Sequence, residues 1–593
     1  MRKKYFACLP LLFLVGFSTS GCSSKANENV LRIINAEDYI YEQDDKFVTL
    51  EDGTQIPTNP DMIVQFKNYY KEKTGKDITV VYNTYDTNET MLSSLKTGKT
   101  HYDLVCASDY TLQKMVRAGL VQKINEDKPD KTKEELVPNY YQYTSNYLKG
   151  IMEGIDCSTY NEDGSVKENF GRLSDYCCGY MWGTLGLIYN PETIRTKVPS
   201  LAKLICDHPD KEGRTCGECD NCIEAFQIVE EKMSDWSVLW DPEFKGLAAI
   251  KDSMRDTYSI AIMETYKEDF VALKTQHESG ELTDEEYNSK VSKIFNYGGE
   301  KDKDADKHIE EVKQTLYELR KNIFGFEIDG GKQDIVTGKI AIDTAWSGDA
   351  VYSIDQAAEE TETVLRYSIP DTGGNIWFDT WAIQKGGNAE LARAFIDFVS
   401  DPLNASQNMN YVGYTSFISG TNEDGVSMFD LVSEWYSEAW YNDDGEFVTE
   451  EEVDDPKNPG KKILEEVLAN IEDYTPVDLS RYFSMEGEDH EEDEFVIYIS
   501  NESGGKHAEI FAQYPDVNRL PSLAIMEDYG DNQEKIIRMW EHIKAEGMPL
   551  WAIILLSCEA GLALVLIGVF VGRKRAEKYL RKQRRKAEIQ KSK

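Results

Sequence analysis

The chain has 593 residues, with 106 Asp and Glu against 65 Lys and Arg, a formal net charge of −41. That length exceeds what one hydrophobic core supports and implies two or more folding units. So acidic a surface repels nucleic acid, which excludes it as a partner, and gathers cations.

Met1-Arg2-Lys3-Lys4 followed by YFACLPLLFLVGF reads as a secretory signal over residues 1–22. Thr19-Ser20-Gly21-Cys22 approximates a lipobox in which Cys22 would be acylated. Thr19 stands where Leu is usual, so ordinary cleavage is the alternative. Val30 to Asn35 is the first strand, ending in Ala36-Glu37-Asp38-Tyr39. A helix burying Met62, Ile63, Phe66 and Tyr70 stops at Gly75. Ile78 to Tyr82 is a β-branched strand, and Asn88 reads as the N-cap of a helix carrying Met91, Leu92 and Leu95. Leu104 to Ala107 is the next strand, turning at Ser108-Asp109-Tyr110 into a helix with Leu112, Met115 and Val116. Strand, helix, strand, helix at this spacing predicts a right-handed parallel β/α unit, whose ligands gather at the carboxyl ends of strands.

Residues 125–175 read as charged and irregular. Strand character resumes over Tyr180–Asn190, and Pro199–Cys206 reads as helical. Cys206, Cys216, Cys219 and Cys222 follow with x9, x2 and x2 spacing, which suits either disulfides or a tetrahedral zinc. With Cys106, Cys157, Cys177 and Cys178 the extracytoplasmic count after Cys22 is even, which favours disulfides; zinc and free thiols stay open. Ala248 to Ile250 is a strand running into Asp252-Ser253-Met254-Arg255-Asp256, and residues 267–320 carry a charged helical hairpin. Ile340-Ala341-Ile342 leads to Trp346-Ser347-Gly348-Asp349. The strand Leu365–Ile369 precedes the turn into Trp377-Phe378-Asp379, and an amphipathic helix covers Ala389–Val399. Gly413-Tyr414-Thr415 follows a further helix, residues 421–510 form an acidic insertion with no legible fold, and Asn532–Ala545 is the last helix before position 549.

Residues 549–572 hold an apolar run of spanning length, Trp551 to Val571, broken by Ser557 and Glu559. Glu559 either faces a partner helix or is tolerated in its neutral form. The tail 573–593 carries eleven Lys and Arg against Glu577 and Glu588, which places it on the cytoplasmic side and everything before the span outside. Setting aside both termini leaves about −52 on residues 23–548, consistent with a polycation ligand or simply with a solvated acidic surface. Seven scattered His and no GxSxG, P-loop or HExxH motif give no support for an enzyme. No cofactor is implied.

TYDTNETMLSSLKTG, YDLVCASDYTLQKM and GLVQKI, then YMWGTLGLIYN, DWSVLWDPEFKG, DTAWSGDA, NIWFDTWAIQ and NYVGYTS, resemble in order the blocks of spermidine/putrescine-binding proteins of bacterial ABC importers. The resemblance implies an α/β fold of two lobes, a periplasmic-binding-protein type II arrangement of mostly parallel sheets with a ligand cleft between. It places one lobe in 30–184 plus 377–420 and the other in 185–376 plus 511–546. It implies capture of a polyamine and delivery to a membrane permease with its ATPase. The same fold for another cationic solute, and a membrane-tethered sensor, are the alternatives.

The cleft residues it implies are Trp377, Asp379, Trp346, Tyr110, Ser108, Tyr414, Asp256, Tyr39, Glu37 and Asp38. Flat aromatic faces suit methylenes and ammonium groups, and carboxylates pair the charge. Three departures stand out: Ala36 replaces an aromatic wall, Ser253 stands where the family can carry an acid, and Met526 where a polar amide can sit.

Overall fold

The computed structural model describes residues 28–545 except 44–46, 50–54, 99, 162–164, 205–218, 329, 362, 443, 455–461 and 486–492. The signal segment, Cys22, Cys206, Cys216, the apolar run 549–572 and the basic tail therefore lie outside the described residues. Among the described residues no helix is long and apolar enough to cross a membrane.

An eleven-stranded sheet organises the chain. Its main path uses β1 (Val30–Ala36), β2 (Thr79–Tyr85), β3 (Leu104–Ser108), β4 (Cys177–Tyr189), β5 (Ala248–Lys251), β6 (Gly325–Glu327), β7 (Ile342–Trp346) and β8 (Gly374–Ile383). Their spatial order is β6-β5-β7-β4-β8-β3-β1-β2. All thirteen residues of β4 are buried, which explains its unbroken apolar run: the strand is covered on both faces.

Pairing is parallel between β1 and β2, β1 and β3, β5 and β6, and β5 and β7. It is antiparallel between β4 and β8, β4 and β7, and β3 and β8. The expectation of mostly parallel sheets thus holds at the two ends and fails in the middle. β4 and β8 are long strands that cross the molecule in opposite senses, and no β/α crossover obliges them to run parallel to their neighbours.

The buried hydrophobic residues gather in two cores. One gathers Leu31, Phe66, Leu104, Trp381 and Phe395. The other gathers Leu187, Trp236, Ile250, Tyr258 and Trp540, with Phe270, Val291 and Val312 from the charged helices predicted over 267–320. The acidic insertion is part of the first core, burying Val432, Tyr436, Phe483 and Ile497 there, and Trp182 of β4 stacks on its Tyr482 at 5.7 Å. Ala350, Ile354 and Ile369, expected in the second lobe, join this same core beside Ile510 and Tyr514. Three helices, Lys133–Leu136, Pro138–Tyr143 and Asn146–Gly154, also occupy the stretch that reads as irregular.

Cys106, Cys157, Cys177 and Cys178 are buried unpaired thiols, so the even cysteine count does not translate into disulfides at these four positions. Each sits within core packing and not opposite a second cysteine on a neighbouring strand. Among the described residues no three His, Cys, Asp or Glu side chains are grouped so that they could hold a metal ion. Cys219 caps the helix Asp220–Met233, and Cys222 lies buried within it.

Candidate functional site

Most of the predicted site residues lie at or just beyond the carboxyl ends of β1, β3, β5 and β7, and β4 and β8 run side by side in the middle of the sheet. β1 ends at Ala36, and Asp38 then adopts φ 50°, a left-handed conformation that Asp tolerates better than most residues. The turn brings the Tyr39 carbonyl back to the Asn35 side-chain amide at 2.9 Å and buries the Tyr39 ring. Glu37 and Asp38 stay exposed on that turn and make no hydrogen bond or ion pair with the cluster described below, among the described residues. Sequence proximity to Tyr39 grouped them with it, and of the three only Tyr39 is buried.

Asp379 is the centre of the cluster. Its Oδ2 accepts from the Tyr39 hydroxyl at 2.8 Å, and its Oδ1 accepts from Ser108 Oγ at 2.6 Å. Register explains the second contact, since Asp379 pairs with Ser108 across β8 and β3. Asn88 fixes Ser108 by donating to its Oγ at 2.9 Å while accepting from its backbone N–H at 3.2 Å. This frees Thr87, not Asn88, to cap the helix α1 (Asn88–Lys96), one residue before the position read from sequence. On the other side of β8 the register slips between Asp379 and Thr380, where Tyr180 of β4 is the extra residue. Such a bulge re-aims the side chains around it.

Trp377 and Asp379 are half-buried between buried Ile376, Phe378 and Thr380, so they share the open face of β8. Gly413, with φ 79°, ends the helix Pro402–Val412 and releases Tyr414 toward them. The Tyr414 ring lies edge-on to Trp377 at 5.3 Å and to Tyr39 at 5.8 Å. Its hydroxyl donates to Asp349 Oδ1 at 3.1 Å. Trp377, Asp379, Tyr39, Ser108 and Tyr414 therefore form one aromatic and carboxylate surface.

Trp346, Tyr110 and Asp256 also come to this region, but with company that the sequence did not announce. Lys251 ends β5, and its Nζ lies 4.8 Å from the centre of the Trp346 ring. Arg255 opens the helix α2 (Met254–Thr265), and its guanidinium lies 4.1 Å from the Tyr110 ring centre and 4.4 Å from that of Tyr529. Asp256 is buried beside them. Lys251, Arg255, Tyr529 and Asp349 were not among the predicted site residues, although the strand-end rule that selected Asp256 could have found Lys251.

Burial dominates the electrostatics. It raises the pKa of Asp379, against the stabilising hydrogen bonds from Ser108 and Tyr39. It raises Asp256 likewise, opposed by Ser253 and the Trp346 indole. Asp109 is pushed up to about 7 by burial, although the Phe378 N–H and the Arg255 charge favour its ionised form. Its Oδ2 accepts from the Phe378 N–H at 3.1 Å, while Oδ1 is buried with no hydrogen-bond partner among the described residues. Buried carboxyls of this kind gain from a cation that compensates their charge, and the surrounding rings offer it a face.

The family described as bacterial extracellular solute-binding protein matches residues 65–438. A putrescine-binding periplasmic protein of Pseudomonas aeruginosa is 24% identical over 405 residues, 68% of this chain and 82% of its own length. The spermidine/putrescine-binding periplasmic protein of Escherichia coli is 25% identical over 357 residues, 60% of this chain and 73% of its own. Among solved structures, a putative spermidine/putrescine ABC transporter protein from Listeria monocytogenes aligns with a TM-score of 0.46 at 19% identity. That alignment covers 87% of this chain and 99% of the other.

Proposed function

The chain belongs to the bacterial extracellular solute-binding proteins, and from that premise we propose that it captures a small polyamine outside the cytoplasm. The captured solute passes to an ABC permease driven by its ATPase. The observation that carries the reading is Asp379, a half-buried carboxylate held by Tyr39 and Ser108 on the strand face it shares with Trp377, whose ring meets that of Tyr414. An alkylammonium entering there meets a carboxylate and aromatic faces at once. The polyamine-binding relatives support the same choice of solute.

Trp377, Asp379, Tyr414, Tyr39 and Ser108 form the ligand-facing surface in this reading, with Asp256 at its far end. Trp346 and Tyr110 contribute less free surface, because Lys251 and Arg255 already lie against them. The lobes, 30–184 with 377–420 and 185–376 with 511–546 apart from the part of the second that packs in the first core, close around the solute by hinge motion at β4 and β8. Attachment through the apolar run 549–572, with a lipid on Cys22, keeps the receptor near its permease; the +9 tail favours that topology. Cys22→Ser protein found in the medium, and not in the membrane fraction, would remove the C-terminal attachment.

Thermal shift and calorimetric titration of the purified protein against putrescine, spermidine, neutral sugars and amino acids test the function. Ligand binding raises the melting temperature by mass action. A response to sugars or amino acids with none to the amines would overturn the polyamine reading.

A further inference from the structure

Lys251 is the unusual residue of the site. Its side chain is 1% exposed, and its Nζ sits 3.0 Å from Glu327 Oε1 and 3.1 Å from Asp349 Oδ2. It donates to the Ile328 carbonyl at 2.9 Å and faces the Trp346 ring at 4.8 Å. An indole face with two carboxylates and a carbonyl is the acceptor set that an alkylammonium ligand requires. A lysine side chain is itself an n-butylammonium, the same chemistry as one arm of an aliphatic polyamine.

The place is contiguous with the ligand surface. Asp349, which pairs with Lys251, also accepts from the Tyr414 hydroxyl, and the Tyr414 ring meets Trp377 and Tyr39. Asp256 and the Trp346 indole adjoin on the other side. Charge is in surplus there. Asp343 is buried next to the group with an Oδ1 that has no hydrogen-bond partner among the described residues, and Lys332 reaches Asp349 only at 3.5 Å. A few residues on, Arg255 fills the space between Tyr110 and Tyr529 and donates to the Glu527 carbonyl. Two aromatic walls are thus covered by the protein's own cations.

We infer that Lys251 is a built-in ammonium: it fills the cage of Trp346, Glu327 and Asp349, which could otherwise take one cationic centre of a ligand. The chain therefore selects a solute with two cationic centres over one with three. This rests on the polyamine reading. A third ammonium entering this end of the cleft would have to displace Lys251 from its carboxylates or lie beside it with like charge unscreened, and Arg255 closes the neighbouring wall in the same way.

The test compares calorimetric affinities of the purified full-length protein for putrescine and spermidine, before and after Lys251→Ala. The wild type is expected to favour putrescine by about tenfold or more, and Lys251→Ala to shift the ratio toward spermidine by at least about tenfold. A wild-type preference for spermidine, or a ratio unmoved by the substitution, overturns the inference. Lys251→Ala leaves a void of the size and charge of n-propylammonium, so that ion alone is the second probe. It is expected to raise the melting temperature of Lys251→Ala, or to restore folding if the variant does not fold unaided, and to raise that of the wild type by clearly less. No difference between wild type and variant in this measurement rejects the cage. If the wild type binds neither polyamine, the proposed function fails, and the n-propylammonium measurement still judges the cage by itself.

Discussion

The Tyr39 hydroxyl donates to Asp379 Oδ2 at 2.8 Å, joining the turn after β1 to the crossing strand β8 over 340 positions of sequence. With Ser108 on the other oxygen, the carboxylate is held in one orientation before any solute arrives. Asp379→Asn keeps the shape and removes the charge. It is expected to weaken polyamine binding by about 2–4 kcal/mol, the cost of leaving a desolvated charge unmatched. Tyr39→Phe removes one donor and should cost less, about 1.5–3 kcal/mol, as for a hydrogen bond to a charged group. Titration calorimetry ranks the two, and equal affinity in wild type and Asp379→Asn would place the cleft elsewhere.

Gly348 opens the helix α3 (Ser347–Thr361) directly under Tyr414. A Cβ there would stand 2.5 Å from Tyr414 ring carbons, closer than van der Waals contact permits. Gly348→Ala therefore pushes Tyr414 from Trp377 and from Asp349. Overpacking of this kind costs about 1–3 kcal/mol in stability. Affinity is expected to fall by about tenfold or more as the wall is lost. Chemical denaturation and calorimetry on the same preparation separate the two effects, and an unchanged affinity would show that Tyr414 does not face the solute.

Asp109 makes stability depend on pH in a direction opposite to most surface carboxylates. Its folded-state pKa is raised from 3.8 to about 7, so the folded protein holds this proton more tightly than the unfolded chain. Its contribution is fully present below the unfolded value and is lost as pH rises through about 7. The slope from one such proton is at most about 1.4 kcal/mol per pH unit. Asp109→Asn keeps the acceptor for the Phe378 N–H and removes the titration. Urea unfolding between pH 4 and 7 should show the wild type losing stability relative to Asp109→Asn as pH rises. Parallel curves would mean that Asp109 is ionised throughout.

The four buried thiols make a separate prediction. Burial pushes the pKa of Cys106, Cys177 and Cys178 up, and that of Cys157 up to about 12. Thiolate is the reactive form, so none of the four should take up iodoacetamide in the native protein at neutral pH. All four should be alkylated after unfolding without reductant. Peptide mass spectrometry reads both states; a disulfide linking any two of them would contradict the structure.

Much of the site could be read from local pattern because it depends on local geometry. The alternation in Asn375-Ile376-Trp377-Phe378-Asp379 is enough to put Trp377 and Asp379 on one face, since successive side chains of a strand point to opposite sides. Ser108, Trp346 and Asp256 follow from the same rule about carboxyl ends. The acidic insertion was opaque for the converse reason. Its strands Phe447–Asp454 and Lys462–Leu468 are rich in Glu, and its apolar residues Val432, Phe483 and Ile497 find their partners in a core built largely from the first 400 residues.

By itself, then, the order of residues determined the strands and helices around the site and the faces they present, because backbone periodicity is set by neighbours in the chain. Tertiary structure alone decided the antiparallel middle of the sheet, the seating of Ala350 and Ile354 in the first core, and the occupants of the aromatic walls. Lys251 lies 95 residues before Trp346, and Arg255 lies 145 after Tyr110. No periodicity connects positions so far apart. Burial and charge compensation bring them together, and these depend on which elements pack side by side once the sheet has closed.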